Sequence, residues 1–429
     1  MTNSTLSRWQ KALYAAGTGA QNIFNMTLVT WSMFFYAPPA GQGQPLTPIV
    51  LFSVAMLSGR LVDALLDPLV GYWSDRVRWR WGRRLPFIVL GGLPLALSFL
   101  MIWLPPVPGY SLYNGIYFLL MVNVYFALTT LVFVPQGALL PEIAVSPAER
   151  LSLSTYNAMS AMITAAVVAI GTGPLAERIG FRGMGAAMAA VGLVLTYAPV
   201  LAIREHSQAR PANPLRFADA VRLTLTNRPF MAYVIGMVFF YLGFNALMGD
   251  LPYFVTTVLH QDEGKVSLYL AIHLAAAVAF FPLVGPAAVR WGKKRVYTLA
   301  YLGLAVWFPL LVVVGRLPLA LSPAWQAAIF MGVAGAILSF HYVLPGAMIS
   351  QAIDHDAERT GLRREAMYFG IQGILQKAAM GLSGLLLAAL LRWGGYEAAH
   401  PLGIYLVGPA AGLMFLGGYF SLARWNLPG

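Results

Sequence analysis

The sequence predicts an all-α polytopic membrane protein, with twelve transmembrane helices in two six-helix halves. Three observations carry that expectation. Hydrophobic residues make up 59% of the 429 positions and charged residues only 10%, with a mean hydropathy of +0.68, whereas a soluble domain is roughly 25% charged. The apolar stretches run to about 20 residues, the length of a helix that crosses a bilayer, rather than alternating in short strands. Finally, the chain repeats its own landmarks at about half its length.

Taken in order, the apolar segments lie near 11–37, 46–71, 85–104, 113–141, 153–175, 184–203, 229–250, 266–289, 296–315, 325–350, 366–391 and 400–423. Proline and glycine punctuate most ends, as at Pro38-Pro39 and Pro105-Pro106. The first segment follows MTNSTLSRWQKALYAAG directly, so no cleavable signal is expected. The longest polar stretch divides the chain into an N-terminal six-helix bundle (1–203), a cytoplasmic linker (204–228) and a C-terminal six-helix bundle (229–429).

Charge gives the orientation. Arg8, Lys11 and the even-numbered loops hold most of the cations, including Arg76 to Arg84, Arg150, Arg204 to Arg228, Arg290 to Arg295 and Arg359 to Arg364. The odd-numbered loops hold only Arg178, Arg182, Lys265, Arg316 and Arg392. By the positive-inside rule both termini are cytoplasmic. The net charge of +12 therefore reads as membrane topology, and no nucleic-acid partner is expected. With no cysteine, disulfides, thiolate metal sites and cysteine nucleophiles are excluded.

The repeats come in matching order. Pro68-Leu-Val-Gly71 recurs as Pro282-Leu-Val-Gly285, Arg80-Trp-Gly-Arg-Arg84 as Arg290-Trp-Gly-Lys-Lys294, and Ala148-Glu-Arg150 as Ala357-Glu-Arg359. Three landmarks in one order argue for a 6+6 duplication. Parallel six-helix halves around a central substrate pathway are the plan of the major facilitator fold.

The chemistry concentrates in the second segment. Arg60, Asp63 and Asp67 stand at i, i+3 and i+7, on one helical face inside an apolar run. Charges there cost about 2.5–3.5 kcal/mol each at the membrane centre and mark function or a structural charge network. Two carboxylates partly neutralised by an arginine leave a net negative site that a sodium ion or a proton would complete. Lys377, deep in the eleventh segment, is expected to pair with Asp63 or Asp67, in competition with the cation.

The run Asp67-Pro-Leu-Val-Gly-Tyr-Trp-Ser-Asp75 followed by Arg80-Trp-Gly-Arg-Arg84 resembles the glycoside–pentoside–hexuronide:cation symporter family. So does Ile353-Asp-His-Asp-Ala-Glu-Arg-Thr-Gly-Leu-Arg-Arg-Glu365, with Met367-Tyr-Phe-Gly370 and Lys377. The resemblance covers both halves and implies symport of a sugar or glycoside with sodium, lithium or protons. It matches Asp63 and Asp67 to the family's cation carboxylates and Thr130 to a fourth-helix cation ligand. Lys377 matches a lysine that lines the central cavity, and Tyr342 an aromatic beside the sugar. An acid of the sodium-coupled carriers falls on Phe133 here, the first-helix sugar-binding acid on Asn22, and a fifth-helix arginine on Asn157. The cation half of the site is thus kept and the charged sugar clamp neutralised. Having fewer oxygens tilts the expectation toward protons. The same fold branch includes lysophospholipid carriers, which Phe133 and Gly137 would suit by making an apolar cavity.

For the solute, amides and aromatics within apolar runs are what a neutral polyol needs. Asn22, Asn157, Tyr342, Gln372 and Lys377 are the leading candidates, against helix-packing roles for each. His341 is read either as a titrating group or as a satisfied structural histidine. The cytoplasmic gate is assigned to Asp75, Arg80, Arg83 and Arg84, mirrored by Arg290, Lys293, Lys294 and Arg295. The pairs Glu142 with Arg150 and Glu358 with Arg359, Arg363 and Arg364 complete it.

No cofactor is expected beyond sodium or a proton as coupling ion, and no metal beyond a sodium at Asp63 and Asp67. The partners are a small-molecule substrate and the lipid bilayer, the protein being a monomer in a bacterial inner membrane. A prenyltransferase-type enzyme is the weaker alternative. Asp63-x-x-x-Asp67 has a magnesium–pyrophosphate spacing, but the only second motif, Asp354-His-Asp356, falls in a predicted cytoplasmic loop, and Arg60 disfavours the metal.

Overall fold

The computed structural model describes residues 6–39, 43–74, 77, 79, 82–144, 147–202, 222–316, 321–361 and 365–424. All named elements among them are helical. The chain forms two compact units, Met1–Pro211 and Ala212–Gly429.

The first unit holds α1 (Arg8–Tyr36), α2 (Ile49–Ser74), α3 (Leu85–Ile102), α4 (Leu112–Ile143) and α5 (Pro147–Ala202). Helix starts are written in the sequence: Ser7 caps α1 in a reciprocal box with Gln10, and Ser111 accepts from Tyr113 N–H at the start of α4. α5 covers two expected spans. The expected loop between them is helical, and the ladder breaks only at Gly180, whose φ of 71° and ψ of 170° suit a residue without a Cβ. The six spans of this unit are therefore α1 to α4 and the two arms of α5.

The second unit holds α6 (Arg228–Tyr253), which passes into a π-helical turn (Phe254–Val258), then α7 (Gly264–Trp291) and α8 (Lys293–Trp307), which ends in a 3-10 turn (Phe308–Val313). α9 (Pro323–Val343), α10 (Pro345–Thr360), α11 (Glu365–Gly394) and α12 (Leu402–Ala423) follow. The expected tenth segment is two helices. Pro345 brings no N–H to continue α9, so a new helix starts there and runs to Thr360. Asp354-His-Asp356 is accordingly helical, not in a loop, and Asp356 is buried. Ten helical runs among the described residues are long and apolar enough to cross a membrane. One of them comprises both arms of α5, and another joins α9 to α10. α1 brings the spans to twelve.

The duplication shows in packing and in backbone. Within the first unit α2 packs on α4, and α1 and α3 pack on α5; within the second, α7 packs on α9, α6 on α11 and α12, and α8 on α12. Pro68 interrupts α2 and Pro282 interrupts α7. The glycines of the two repeated Trp-Gly pairs both have positive φ, 114° at Gly82 and 84° at Gly292, in the region that favours glycine.

Candidate functional site

α2 and α4 build the charge cluster of the first unit. Gly59 has no Cβ to collide with the Phe126 ring, which lets the two helices close on one another. That contact brings the Arg60 guanidinium over the Phe126 ring, 4.5 Å from its centroid. Arg60 also donates through Nη2 to Asn25 Oδ1 on α1 at 2.5 Å. One turn along, Thr130 donates its hydroxyl to Asp63 Oδ1 at 2.5 Å, and the same oxygen lies 3.3 Å from the Asp63 carbonyl. Arg60, Asp63 and Thr130 are all buried, and Arg60 lies within electrostatic reach of the Asp63 carboxyl. Asn123 Nδ2 donates to Ser58 Oγ at 2.8 Å and closes the other end of the same seam. Asn123, Phe126 and Thr130 form one face of α4 by their i, i+3, i+7 spacing.

Asp67 sits one turn beyond Asp63 and is half-buried. Pro68, the residue after Asp67, brings no N–H to the Ala64 carbonyl, so a backbone oxygen in the turn between the two aspartates is left without its helical donor. The cluster thus gathers carboxylate, hydroxyl and carbonyl oxygens, the donor set a hard monovalent cation or a proton uses. Phe133, where the resemblance places a further acid, is buried. Gly137 one turn on faces open space, with nothing within 4 Å of a Cβ built there. Among the described residues no group of three His, Cys, Asp or Glu could hold a metal ion.

The solute candidates separate by what already holds them. Asn22 donates through Nδ2 to the Ala161 carbonyl at 2.8 Å, tying α1 to α5. Tyr342 is 43% exposed, and its hydroxyl lies 3.3 Å from His273 Nε2. Among the described residues Asn157 Oδ1 and Gln372 Oε1 are buried with no hydrogen-bond partner, while the Asn157 side chain also meets the Tyr14 hydroxyl of α1. Lys377 is half-buried on α11. His341 is the satisfied structural histidine: Tyr297 Oη lies 3.1 Å from its Nδ1, and the ring stacks on Phe240 and Tyr297.

We expect Asn22→Leu to cost about 0.6–1.7 kcal/mol of stability through the lost interhelical bond, with little change in solute KM. Gln372→Leu should leave the melting temperature unchanged or raised, since it removes a buried amide oxygen with no partner among the described residues, but weaken solute binding. Melting curves and uptake kinetics on the same preparations check both halves.

Of the gate residues, Arg84 is buried at the N-terminus of α3. Arg290 is exposed, with its guanidinium 5.7 Å from the centre of the Trp291 ring; Lys293 and Arg295 are exposed and Lys294 half-buried. Arg359 pairs with buried Asp356 at 3.8 Å, whereas Glu358 is exposed. Asp75, Arg80, Arg363 and Arg364, and the side chains of Glu142 and Arg150, lie outside the described residues.

Sequence reasoning missed Asn25, the acceptor for Arg60, although it stands three residues after Asn22 on an apolar helix. It also passed over Asp250 and His273. Asp250 was placed at the last position of its segment, but α6 and the π turn carry the helix on to Val258.

Two six-span helical units, the first with a buried arginine–aspartate–threonine cluster, define a membrane transporter of the major facilitator class. The chain belongs to the MFS/sugar transport protein family, whose pattern matches residues 13–403. It is 25% identical over 416 residues to the inner membrane symporter YicJ of Escherichia coli (strain K12), covering 93% of this chain and 86% of that one. It is 24% identical over 434 residues to the sodium-dependent lysophosphatidylcholine symporter 1-A of Danio rerio, covering 91% and 79%. Among solved structures it is similar to a D-xylose-proton symporter, with a TM-score of 0.68, 16% identity and 97% of each chain covered. That last likeness is one of fold.

Proposed function

We propose that this protein is a cation-coupled symporter of a sugar, glycoside or similar small organic solute, working by alternating access. The observation that carries the reading is the buried Thr130–Asp63 contact beside Arg60 and Asp67. Carboxyl and hydroxyl oxygens inside the bilayer are retained against a desolvation cost that a bound cation or proton would offset. In this reading Asp63, Asp67 and Thr130 take the coupling ion, sodium or a proton, and Arg60 sets the charge of the site. Asn157 of the first unit and Tyr342, Gln372 and Lys377 of the second are the solute candidates, and Asn22 holds α1 to α5. The glycine turns at Gly82 and Gly292, with their flanking cations, act as cytoplasmic latches. The protein sits in a bacterial inner membrane with both termini in the cytoplasm.

A lysophospholipid-like solute is the second reading. It is favoured by the apolar Phe133 in place of an acid, by the open space at Gly137, and by the similarity to a lysophosphatidylcholine symporter.

Thermal melting of the purified protein against sugars, glycosides and lysolipids, with and without sodium and at two pH values, tests both. A ligand that binds only the folded state raises the melting temperature by mass action. A sugar shift that grows with sodium or changes with pH supports symport of a sugar-like solute. A shift with lysolipid alone overturns the sugar assignment.

A further inference from the structure

The second unit encloses a small cavity of its own, between the C-terminal end of α6, the π turn, α7, the 3-10 turn and α9. Its volume is about 30 Å³, enough for one or two waters. The walls are almost wholly apolar, with Phe254, Phe308 and Phe330 prominent, yet Asp250 and His273 are among the residues that line it. Asp250 is 1% exposed, and its Oδ1 has no hydrogen-bond partner among the described residues; the same holds for His273 Nδ1. Backbone irregularity marks the place. Pro252 brings no N–H to the carbonyl of Met248, which also lines the cavity, and the helix then widens into the π turn.

The groups around this pair come from each neighbouring element. On α6, Tyr253 lies within electrostatic reach of Asp250. From α7, Tyr269 lines the cavity and gives its hydroxyl to Gln261 Oε1 at 2.9 Å. From α9, Tyr342 Oη lies 3.3 Å from His273 Nε2, and the Met331 carbonyl faces the imidazole. The 3-10 turn contributes Phe308 and Leu311. Beyond these, α12 sets Tyr405 against Phe254, with Arg316 held over the Tyr405 ring at 3.7 Å, and Tyr396 packs on Tyr253. No cation among the described residues pairs with Asp250. An ionised carboxylate here would bear the whole cost of its desolvation, whereas the neutral acid can donate one hydrogen bond.

We propose that this cavity is a proton-binding site of the C-terminal unit, in which Asp250 and His273 share one proton across a bound water. With the proton on Asp250, its O–H donates to the water and the water donates to His273 Nδ1. When the proton moves, the water's own proton passes to Nδ1 and the Asp250 proton replaces it, leaving aspartate and imidazolium with the water restored. Tyr342 Oη and the Met331 carbonyl are the acceptors beside the charged ring. The site uses no residue of the Asp63 cluster and stands or falls apart from it.

Infrared difference spectra of the full chain in lipid nanodiscs, with side-chain ¹³C-labelled aspartate, test this. The wild type should show a carboxylic-acid band at neutral pH that shifts on exchange into D₂O. The band should vanish in Asp250→Asn, persist in Asp63→Asn, and move in His273→Gln. Absence of the band from the wild type, its persistence in Asp250→Asn, or its failure to exchange would overturn the proposal. Should Asp250→Asn not fold, His273→Gln decides: an unmoved band overturns the site.

Discussion

Replacing Arg60 with alanine is expected to cost about 3–5 kcal/mol of stability, because it strips one partner from a buried charge cluster and leaves the Asp63 carboxyl uncompensated. The loss has three parts: the bond to Asn25 Oδ1 at 2.5 Å, the contact on the Phe126 ring, and the counter-charge for Asp63. Arg60→Lys should recover only part of it. A point-charge ammonium cannot lie flat on the ring and reach Asn25 as the planar guanidinium does. Arg290→Ala is the control. That arginine is exposed and touches the edge of its own helix at Trp291, so its removal should stay within about 0.5 kcal/mol. Melting of the detergent-solubilised proteins, followed by loss of monodisperse material on heating, reads all three. An Arg60→Ala protein as stable as wild type would mean that the cluster is not a packed unit.

Asp63→Asn should separate coupling from movement. The amide still accepts from the Thr130 hydroxyl, so the α2–α4 seam keeps its shape, but the negative charge that a cation needs is gone. In proteoliposomes, gradient-driven accumulation of a solute identified by the melting screen should fall to the level of protein-free vesicles. Solute exchange at equal concentrations should continue. Asp67→Asn, one turn away and half-buried, should weaken accumulation without abolishing it. Thr130→Val, which keeps the shape and removes one oxygen, should lower cation affinity while leaving exchange intact. Accumulation that survives Asp63→Asn at the wild-type level would contradict the assignment of the site.

Much of this was legible in the residues. Hydropathy and the Pro-Leu-Val-Gly and Trp-Gly repeats located the spans and the duplication because membrane helices must satisfy their backbones internally and so announce themselves by length. Arg60, Asp63 and Asp67 were legible because charge in an apolar run is costly enough to stand out. What spacing along one helix does not encode is the partner on another. Phe126 meets Arg60 because Gly59 lets α2 and α4 close together, and Asn25 reaches it from α1; both contacts depend on tertiary packing. Boundaries failed for a local reason: Gly180 and Pro345 break helices with a single residue, where polarity suggests either a longer loop or none. Asp250 was overlooked because a charge at the end of an apolar run looks like its edge, although the π turn carries the helix past it. His341 could be read either way from sequence, and its stack on Phe240 decided it.

The central claim is that the Asp63–Thr130 cluster binds the coupling ion, and it can be tested without knowing the solute. The melting temperature of the purified protein would be followed as sodium replaces choline at constant ionic strength, and again as pH is stepped, in wild type and in Asp63→Asn. The cluster predicts that the wild type responds to one of the two titrations and that Asp63→Asn loses that response. An identical response in both proteins would place the cation elsewhere.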